Sequence, residues 1–449
     1  MYRAWGACIL SGQVQKAISL DWNAGPTWAF RNPANVLGRF KGNDRGRPMR
    51  QELARVLMYS HDTFGLGHLR RCREIAHALV DRFKGLQVLI ISGSSIAGAF
   101  DFRARVDFIK IPSVIKLRNG EYTSLAEHID LGQTLKMRRA IIQDTAERYR
   151  PNIFIVDKEP LGLRGELEQT LVMLKARGTT LVLGLREVLD APEQVELEWE
   201  RNDAVRKVEA LYDTIWVYGS PSFWDPLHGL NASKSLKDRI VFTGHLRRSP
   251  PSQSSARTRC LPEDYILITA GGGGDGGPLM RNVLAAREYD CCCEFPLVAI
   301  LGPFMTKEER QDICERASRL TNVTLLDFET QIEPIIEGAR AMVSMGGYNT
   351  FCEILSFDKR ALLVPRSHPR REQLIRALRA SELGIVDMLD PESASNPRLM
   401  AEALRRLPER PLPSSLGSRL DLDGLETITE LVRSYFDGKV HHLPAAVSL

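Results

Sequence analysis

The sequence predicts an α/β protein made of two doubly wound parallel sheets that face each other across a cleft. Three observations carry this. Short apolar runs of strand length alternate with helical patterns along most of the chain, which is how a parallel sheet covered on both faces reads. A Pro- and Ser-rich stretch without periodicity, 247–256, interrupts the alternation, and the alternation then restarts. In each half, a strand runs into a glycine-bearing loop and then a helix, the place where such folds put ligands. The 449-residue length is too great for one ordinary core and is in keeping with two domains.

The first fifty residues stand apart. They carry Arg and Lys but only Asp21 and Asp44 as acids, with no sustained periodicity. We expect a poorly ordered extension over 1–51, either a mobile tail or translated upstream sequence with the start at Met49. A transit peptide is the other reading. The remaining boundaries are expected at 52–246 for a first domain, 247–261 for a linker, 262–415 for a second domain, and 416–449 for a helix crossing back to the first domain plus a tail.

In the first domain, 55–60 reads as a buried strand. The loop that follows, His61 to His68, contains Gly65 and Gly67. Apolar residues then recur at Leu69, Cys72, Ala76, Leu79, Val80 and Phe83, which is helical spacing. His68 therefore sits at a helix start. Further strands are expected at 87–92, 107–111, 152–157, 179–185, 214–218 and 240–243. The longest helical pattern between them runs from 124 to 149. His68, Asp157, Lys158, Glu159 and Arg186 all lie just past a strand or at a helix start, so all are candidates to line one crevice. Plainer roles are open too. His68 could only cap its helix, Lys158 and Glu159 could be solvated turn residues, and Arg186 could pair with Glu187 or Asp190.

The second domain opens with a strand over 264–270 that ends in Gly271-Gly272-Gly273-Gly274-Asp275-Gly276-Gly277. Successive backbone N–H groups in such a loop can form an anion nest, although a flexible surface loop is the alternative. It is no Walker loop, since no Gly-Lys-Ser/Thr closes it. It is no dinucleotide fingerprint either, since the next strand, 297–301, ends in Gly302-Pro303 rather than in an acid. Strands at 322–327, 340–344 and 360–364 follow. Gly346 and Gly347 turn the strand ending at Ser344 into a short helix over 349–357. There the backbone can approach a phosphate and the helix offers unpaired N–H groups. Glu353, one turn in, could accept two hydrogen bonds from a ribose diol, or could simply be solvated. A helix over 371–383, with Gly384 as its C-cap, puts Glu372 and Gln373 in a first turn. A last helix spans 422–436.

Composition narrows the partners. A formal net charge of +4 and no Lys/Arg stripe interleaved with aromatics argue against nucleic acid. No run of about 18 apolar residues suggests a membrane span. The eight cysteines contain no CxxC pair and read as reduced cytosolic thiols.

Three of these stretches together resemble the GT-B glycosyltransferases of family 28, with the peptidoglycan lipid-intermediate N-acetylglucosaminyltransferase family as the nearest pattern. They are Phe64-Gly-Leu-Gly-His68 after the first strand, Gly347 six residues before Glu353, and Glu372-Gln373 ahead of Ala377. The resemblance covers roughly 52–437. It implies that Glu353 binds ribose hydroxyls, that Gly346, Gly347, Asn349 and Thr350 surround a diphosphate together with Gly272, Gly273 and Gly274, and that Phe328 and Glu329 flank the base. It also implies that Glu372 and Gln373 read the donor sugar. Gly65, Gly67 and Arg186, in the first domain, are candidates for the acceptor side. Two positions depart from the pattern: the family has Gln where this chain has Glu372, and Asn where it has Arg376. Both bear on the sugar more than on the nucleotide.

The expected reaction moves a sugar, with inversion, from a nucleotide-sugar donor (a UDP-sugar) to a hydroxyl of a glycan, lipid or small-molecule acceptor. His68 would be the base. No metal and no cofactor beyond the co-substrate are expected, because helix N-termini can stabilise the diphosphate. The expected location is cytoplasmic, with peripheral contact on the inner membrane face as an option. Gly65-Leu-Gly-His-Leu-Arg-Arg71 is also similar to the start of UDP-sugar hydrolases. A 2-epimerase on the same fold and a non-catalytic nucleotide-sugar-binding protein complete the alternatives.

Overall fold

The computed structural model describes residues 54–61, 66–116, 122–125, 129–250, 261–272, 274–290, 295–416 and 420–438. The expected N-terminal extension, most of the expected linker, the C-terminal tail, and two candidate site residues, Gly65 and Gly273, lie outside them.

The first sheet is built from β1 (Arg55–Ser60), β2 (Gln87–Ser92), β3 (Val106–Lys110), β6 (Ile153–Asp157), β7 (Thr180–Arg186), β8 (Thr214–Tyr218) and β9 (Ile240–Phe242). Its seven strands are ordered β3-β2-β1-β6-β7-β8-β9 and all neighbours are parallel. The second sheet holds β10 (Tyr265–Thr269), β11 (Leu297–Ile300), β12 (Val323–Leu326), β13 (Ala339–Ser344), β14 (Arg360–Leu363) and β15 (Asp387–Met388). Its order is β12-β11-β10-β13-β14-β15, again all parallel. Strand order reverses between β1 and β6 in one sheet and between β10 and β13 in the other. Those two reversals open the crevices where ligands bind in such sheets.

Alternation along each strand feeds two cores per sheet, as a strand covered on both faces requires. Val56 and Met58 enter one core of the first sheet, Leu57 and Tyr59 the other. Ile266 and Ile268 divide from Tyr265 and Leu267 in the same way.

The expected helix over 124–149 is shorter than its pattern. Residues Tyr122–Ser124 form β5, an antiparallel partner of β4 (Val114–Lys116). The main first-domain helices are α1 (Gly67–Arg82) and α2 (Leu131–Tyr149). Asp130 sets where α2 begins, because its carboxylate accepts from the Gln133 N–H at 2.8 Å and satisfies a donor that the helix cannot. In the second domain α3 (Gly277–Tyr289), α4 (Tyr348–Ser356) and α5 (Glu372–Glu382) follow β10, β13 and β14. Gly384, in the left-handed conformation at φ +75°, ends α5 as expected.

The chain passes between the sheets twice at one place. The N–H of His245 donates to Asp421 O at 2.7 Å, and the N–H of Gly424 to His245 O at 3.2 Å. A Cβ on Gly424 would lie 2.5 Å from Gly244 O, so only glycine allows this approach. The last helix, α6 (Gly424–Phe436), then packs Ile428, Leu431, Val432 and Phe436 into the first sheet's core. Phe436 meets Phe83, the C-cap residue of α1, edge to face, 6.1 Å between centroids. Removing a buried aromatic ring costs about 3–5 kcal/mol. We expect Phe436→Ala to lower first-domain stability by about that amount in denaturant unfolding; an unchanged midpoint would mean that α6 contributes nothing to that core.

Candidate functional site

His68 is the second residue of α1, whose N-cap, Leu66, makes no side-chain capping bond. The imidazole does not cap the helix. Its Nδ1 lies 2.5 Å from Asp157 Oδ2 at the end of β6. Arg71, one turn further along α1, holds the same carboxylate with both prongs, Nε to Oδ1 at 2.7 Å and Nη2 to Oδ2 at 2.6 Å. Arg71 Nη2 is also 3.2 Å from His68 Nδ1. The shorter approach to Asp157 assigns the proton to Nδ1, and Nε2 is left as the acceptor. Burial pushes the His68 pKa down to about 4, with the Asp157 hydrogen bond opposing and Arg71 adding to the fall. Burial would raise Asp157, but Arg71 and then His68 hold it well below the usual carboxylate range. His68 is therefore neutral at neutral pH and able to take a proton at Nε2.

Behind it, His61 ends its exit from β1 with its ring 5.7 Å from that of His68. Burial carries the His61 pKa down to about 3. Lys158 and Glu159 are not solvated turn residues: they pair with each other at 2.9 Å, partly buried.

The second domain brings its own turn to the same place. Gly346 adopts φ +75° and Gly347 is the N-cap of α4, with no side-chain cap and open space where a Cβ would be. The first N–H groups of α4 are thus free to meet an anion. Asn349 spans the domains, its Nδ2 donating to Gly67 O at 3.1 Å and its Oδ1 accepting from Arg248 Nη2 at 2.9 Å. Thr350 is buried one residue on. Glu353 is not solvated but 1% exposed, and it accepts from Arg70 Nη2 of α1 at 2.6 Å. The same guanidinium lies 3.5 Å from Glu333. Burial pushes the Glu353 pKa up, and Arg70 opposes the rise.

Elsewhere in the cleft, Arg366 joins Glu372 at 2.7 Å, and Gln373 Oε1 accepts from the Arg366 N–H at 3.2 Å. Arg366 also pairs with Asp275 beyond the glycine loop. Arg376 reaches Glu187 of the first domain at 2.5 Å and donates to Gly346 O at 3.0 Å. Arg370 reaches Glu198 at 2.7 Å and Asp190 at 3.3 Å. The two acids expected as partners for Arg186 are therefore engaged by Arg376 and Arg370.

Of the expected nucleotide residues, Gly272 packs against the turn after β11, its carbonyl accepting from the Phe304 N–H at 3.0 Å. Gly274 is half-buried on the way into α3, whose N-cap Gly276 has no side-chain cap. Phe328 and Glu329 are half-buried beyond β12, and Phe328 stands edge to face with Phe100 of the first domain, 6.1 Å between centroids. Residue reading of the sequence missed Arg70, Arg366 and Arg370. Arg70 stands two residues after His68, off its helical face, and gave no local signal, since its partner is 283 residues away.

The architecture is that of the GT-B glycosyltransferases. Solved structures of this fold include the calicheamicin glycosyltransferase CalG4 (TM-score 0.54, 17% identity, 86% of this chain and 98% of that one) and Medicago truncatula UGT71G1 complexed with UDP-glucose (0.57, 12%, 86% and 99%). Residues 267–414 match the glycosyltransferase family 28 C-terminal domain, so the family 28 resemblance holds for the second sheet and its helices. An uncharacterized glycosyltransferase of Methanosarcina mazei is 26% identical over 216 residues, 47% of this chain and 54% of the relative. The Thermotoga maritima UDP-N-acetylglucosamine--N-acetylmuramyl-(pentapeptide) pyrophosphoryl-undecaprenol N-acetylglucosamine transferase is 26% identical over 175 residues, 39% and 47% of the two chains. The matched region spans about half the length of these curated relatives.

The depressed histidines make stability depend on pH. The unfolded chain binds a proton at each near pH 6.5, whereas the fold resists until about 4 at His68 and about 3 at His61. The unfolded state thus holds more protons in this window, and stability falls as pH drops through it. We expect the melting temperature to decline between about pH 6.5 and pH 4.5 and the decline to be shallower in His61→Gln; identical slopes would remove His61 as a contributor.

Proposed function

We propose that the protein is a glycosyltransferase that moves a sugar from a UDP-sugar to an acceptor hydroxyl with inversion and without a metal ion. One observation carries the reading. The His68–Asp157 pair at the first sheet's strand-order reversal and the uncapped start of α4 at the second sheet's reversal meet in one cleft, joined by the Asn349–Gly67 bond. Uridine is favoured by two similar proteins, one named for UDP-N-acetylglucosamine and one solved with UDP-glucose.

In this reading the acceptor oxygen attacks the anomeric carbon while the bond from that carbon to the diphosphate oxygen breaks. The acceptor proton passes to His68 Nε2. Asp157 pairs with the imidazolium as it forms, which offsets the low basicity that burial imposes. The leaving diphosphate gains charge as the bond breaks. The free N–H groups of α4 and α3, together with cleft guanidiniums, meet that charge. Glu353 holds the ribose diol once Arg70 swings away from it. The acceptor, a glycan, lipid or small molecule, enters from the first domain by Gly67. Among the described residues no helix is long and apolar enough to cross a membrane; a lipid-linked acceptor would be met by peripheral contact.

Two measurements test this. His68→Ala should leave UDP affinity nearly intact and lower turnover by roughly 10²–10⁴. Sugar release that needs no acceptor would instead make the protein a hydrolase, and normal turnover in the variant would remove His68 from the mechanism. At the nucleotide, Glu353→Ala should weaken UDP binding by about 1.5–3 kcal/mol. Arg70→Ala should tighten it by about 1–2 kcal/mol, because the ribose no longer competes with a guanidinium. Calorimetry decides both, and weaker UDP binding in Arg70→Ala would refute the competition.

A further inference from the structure

His68 stands at the start of α1 and the Gly346–Gly347 turn at the start of α4, so the spacing between them depends on what ties these two helices together. Asn349 does so at the site itself. Its Nδ2 donates to Gly67 O at 3.1 Å, and its Oδ1 accepts from Arg248 Nη2 at 2.9 Å. Only one orientation of the amide satisfies both, since a carbonyl only accepts and a guanidinium only donates. Gly67 directly precedes His68, and Asn349 is two residues past Gly347. One hydrogen bond thus joins the residue before the imidazole to the helix start after the turn. Arg248, which follows the crossing of the chain at His245, completes the arrangement. Its backbone N–H donates to Ser356 Oγ at 2.9 Å, and its Nη1 lies 3.6 Å from Glu74. Gly67 and Glu74 are about two turns apart on α1, and Asn349 and Ser356 about two turns apart on α4. Arg248 therefore engages the same length of both helices. Between them, Cys72 of α1 shares an apolar core with Tyr348 and Cys352 of α4. Asn349 is 8% exposed and Arg248 3%, so solvent does not make good a hydrogen bond lost there.

We propose that Asn349 and Arg248 form a clasp that sets how far the His68 base stands from the donor's anomeric carbon, with the Asn349 side chain positioning α1 rather than binding the diphosphate. This rests on the nucleotide-sugar reading above. In that reading the base and the leaving group belong to different domains. The acceptor oxygen must lie between His68 Nε2 and the anomeric carbon as the bond to the diphosphate breaks, and a misplacement of about 1 Å in such a gap lowers the rate by up to about 10²-fold. The diphosphate takes backbone N–H groups of α4 and moves with the turn, whereas the base moves with α1. The bond from Asn349 to the Gly67 carbonyl makes the two helix starts move as one. Arg248 occupies Oδ1 and so keeps Nδ2 turned toward Gly67. Asparagine suits this task and residues of similar size do not. An aspartate would turn an acceptor oxygen toward the Gly67 carbonyl, and a leucine would offer neither that carbonyl nor Arg248 a partner.

The test uses the full chain as wild type, Asn349→Ala, Arg248→Met and the double variant, with UDP, UDP-glucose and UDP-N-acetylglucosamine as probes. UDP affinity by calorimetry should stay level throughout. Turnover is read as UDP release from either sugar nucleotide with water as the acceptor: the water oxygen bonds to the anomeric carbon, its proton passes to His68 and UDP leaves. That rate, per folded molecule, should fall by about 10- to 100-fold in each single variant. The double variant should lose little beyond either single one, because both residues hold one contact. A merely structural role would lower the melting temperature and leave the rate per folded molecule unchanged. A second readout needs no turnover, and it decides alone where wild type releases no UDP with water. UDP should slow amide exchange in the first turn of α1, and the slowing should vanish in Asn349→Ala. If Asn349→Ala fails to fold, Arg248→Met decides by the same readouts. Weaker UDP binding in Asn349→Ala would make that side chain a nucleotide ligand and overturn the clasp. Unchanged release together with unchanged exchange would overturn it too, and either result leaves the nucleotide-sugar reading standing. A wild type that binds neither UDP nor a UDP-sugar would overturn both.

Discussion

The site depends on the carboxylate of Asp157. It ends β6, next to β1 at the strand-order reversal, where the sheet itself fixes its position. From there it takes both prongs of Arg71 and the Nδ1 proton of His68, so one acid aligns the first turns of α1 against the sheet. A buried carboxylate is costly to desolvate, and here three charge-assisted hydrogen bonds offset that cost. Without Asp157, Arg71 would be left buried and unpaired, and the imidazole would be free to take either tautomer. The direction in which His68 presents Nε2 follows from that arrangement.

The contact between the domains is of a different kind. Apolar groups cross it beside the Gly346–Gly347 turn, with Tyr348 and Cys352 of α4 in the first sheet's core and Phe223 5.4 Å from Phe351 between centroids, and charged pairs cross there too. Glu187 and Arg376 are both fully buried, as is Glu353 beneath Arg70. Such pairs are sensitive to the loss of one partner, since the other is then left charged in a poor solvent. They are also exchangeable, because a ligand that supplies equivalent hydrogen bonds can take one partner's place at small net cost. Burial by apolar side chains would hold the domains as firmly but would offer an incoming polar molecule nothing to replace. The ring of Tyr348 adds to this, with the guanidiniums of Arg71 and Arg376 5.4 Å and 5.9 Å from its centre. Both arginines therefore register the position of α4, which carries the glycine turn.

Much of the chain was legible because its signals are local. Buried parallel strands need continuous apolar runs, and each of those runs became a strand with its ends moved by a residue or so. Gly346 announced a strand-to-helix turn because its φ of +75° suits few other residues, and Gly384, also at +75°, announced the end of α5 in the same way. Where the pattern misled, at 124–149, it began too early: Ser124 ends β5 and the helix starts only at Leu131. Only Asp130, a residue suited to an N-cap, marked the true start.

The sequence by itself determined the two sheets, the glycine turns at their crevices, and His68 at the head of a helix, since each follows from short-range periodicity and backbone sterics. Tertiary structure alone decided who pairs with whom. Arg186 stands beside Glu187 and near Asp190 in the chain, yet folding gives those acids to Arg376 and Arg370, which follow them by 189 and 180 residues. Glu353 meets an arginine of the other domain rather than solvent for the same reason. Electrostatic partners are chosen by distance and burial in three dimensions, and neither is written in the spacing of residues along the chain.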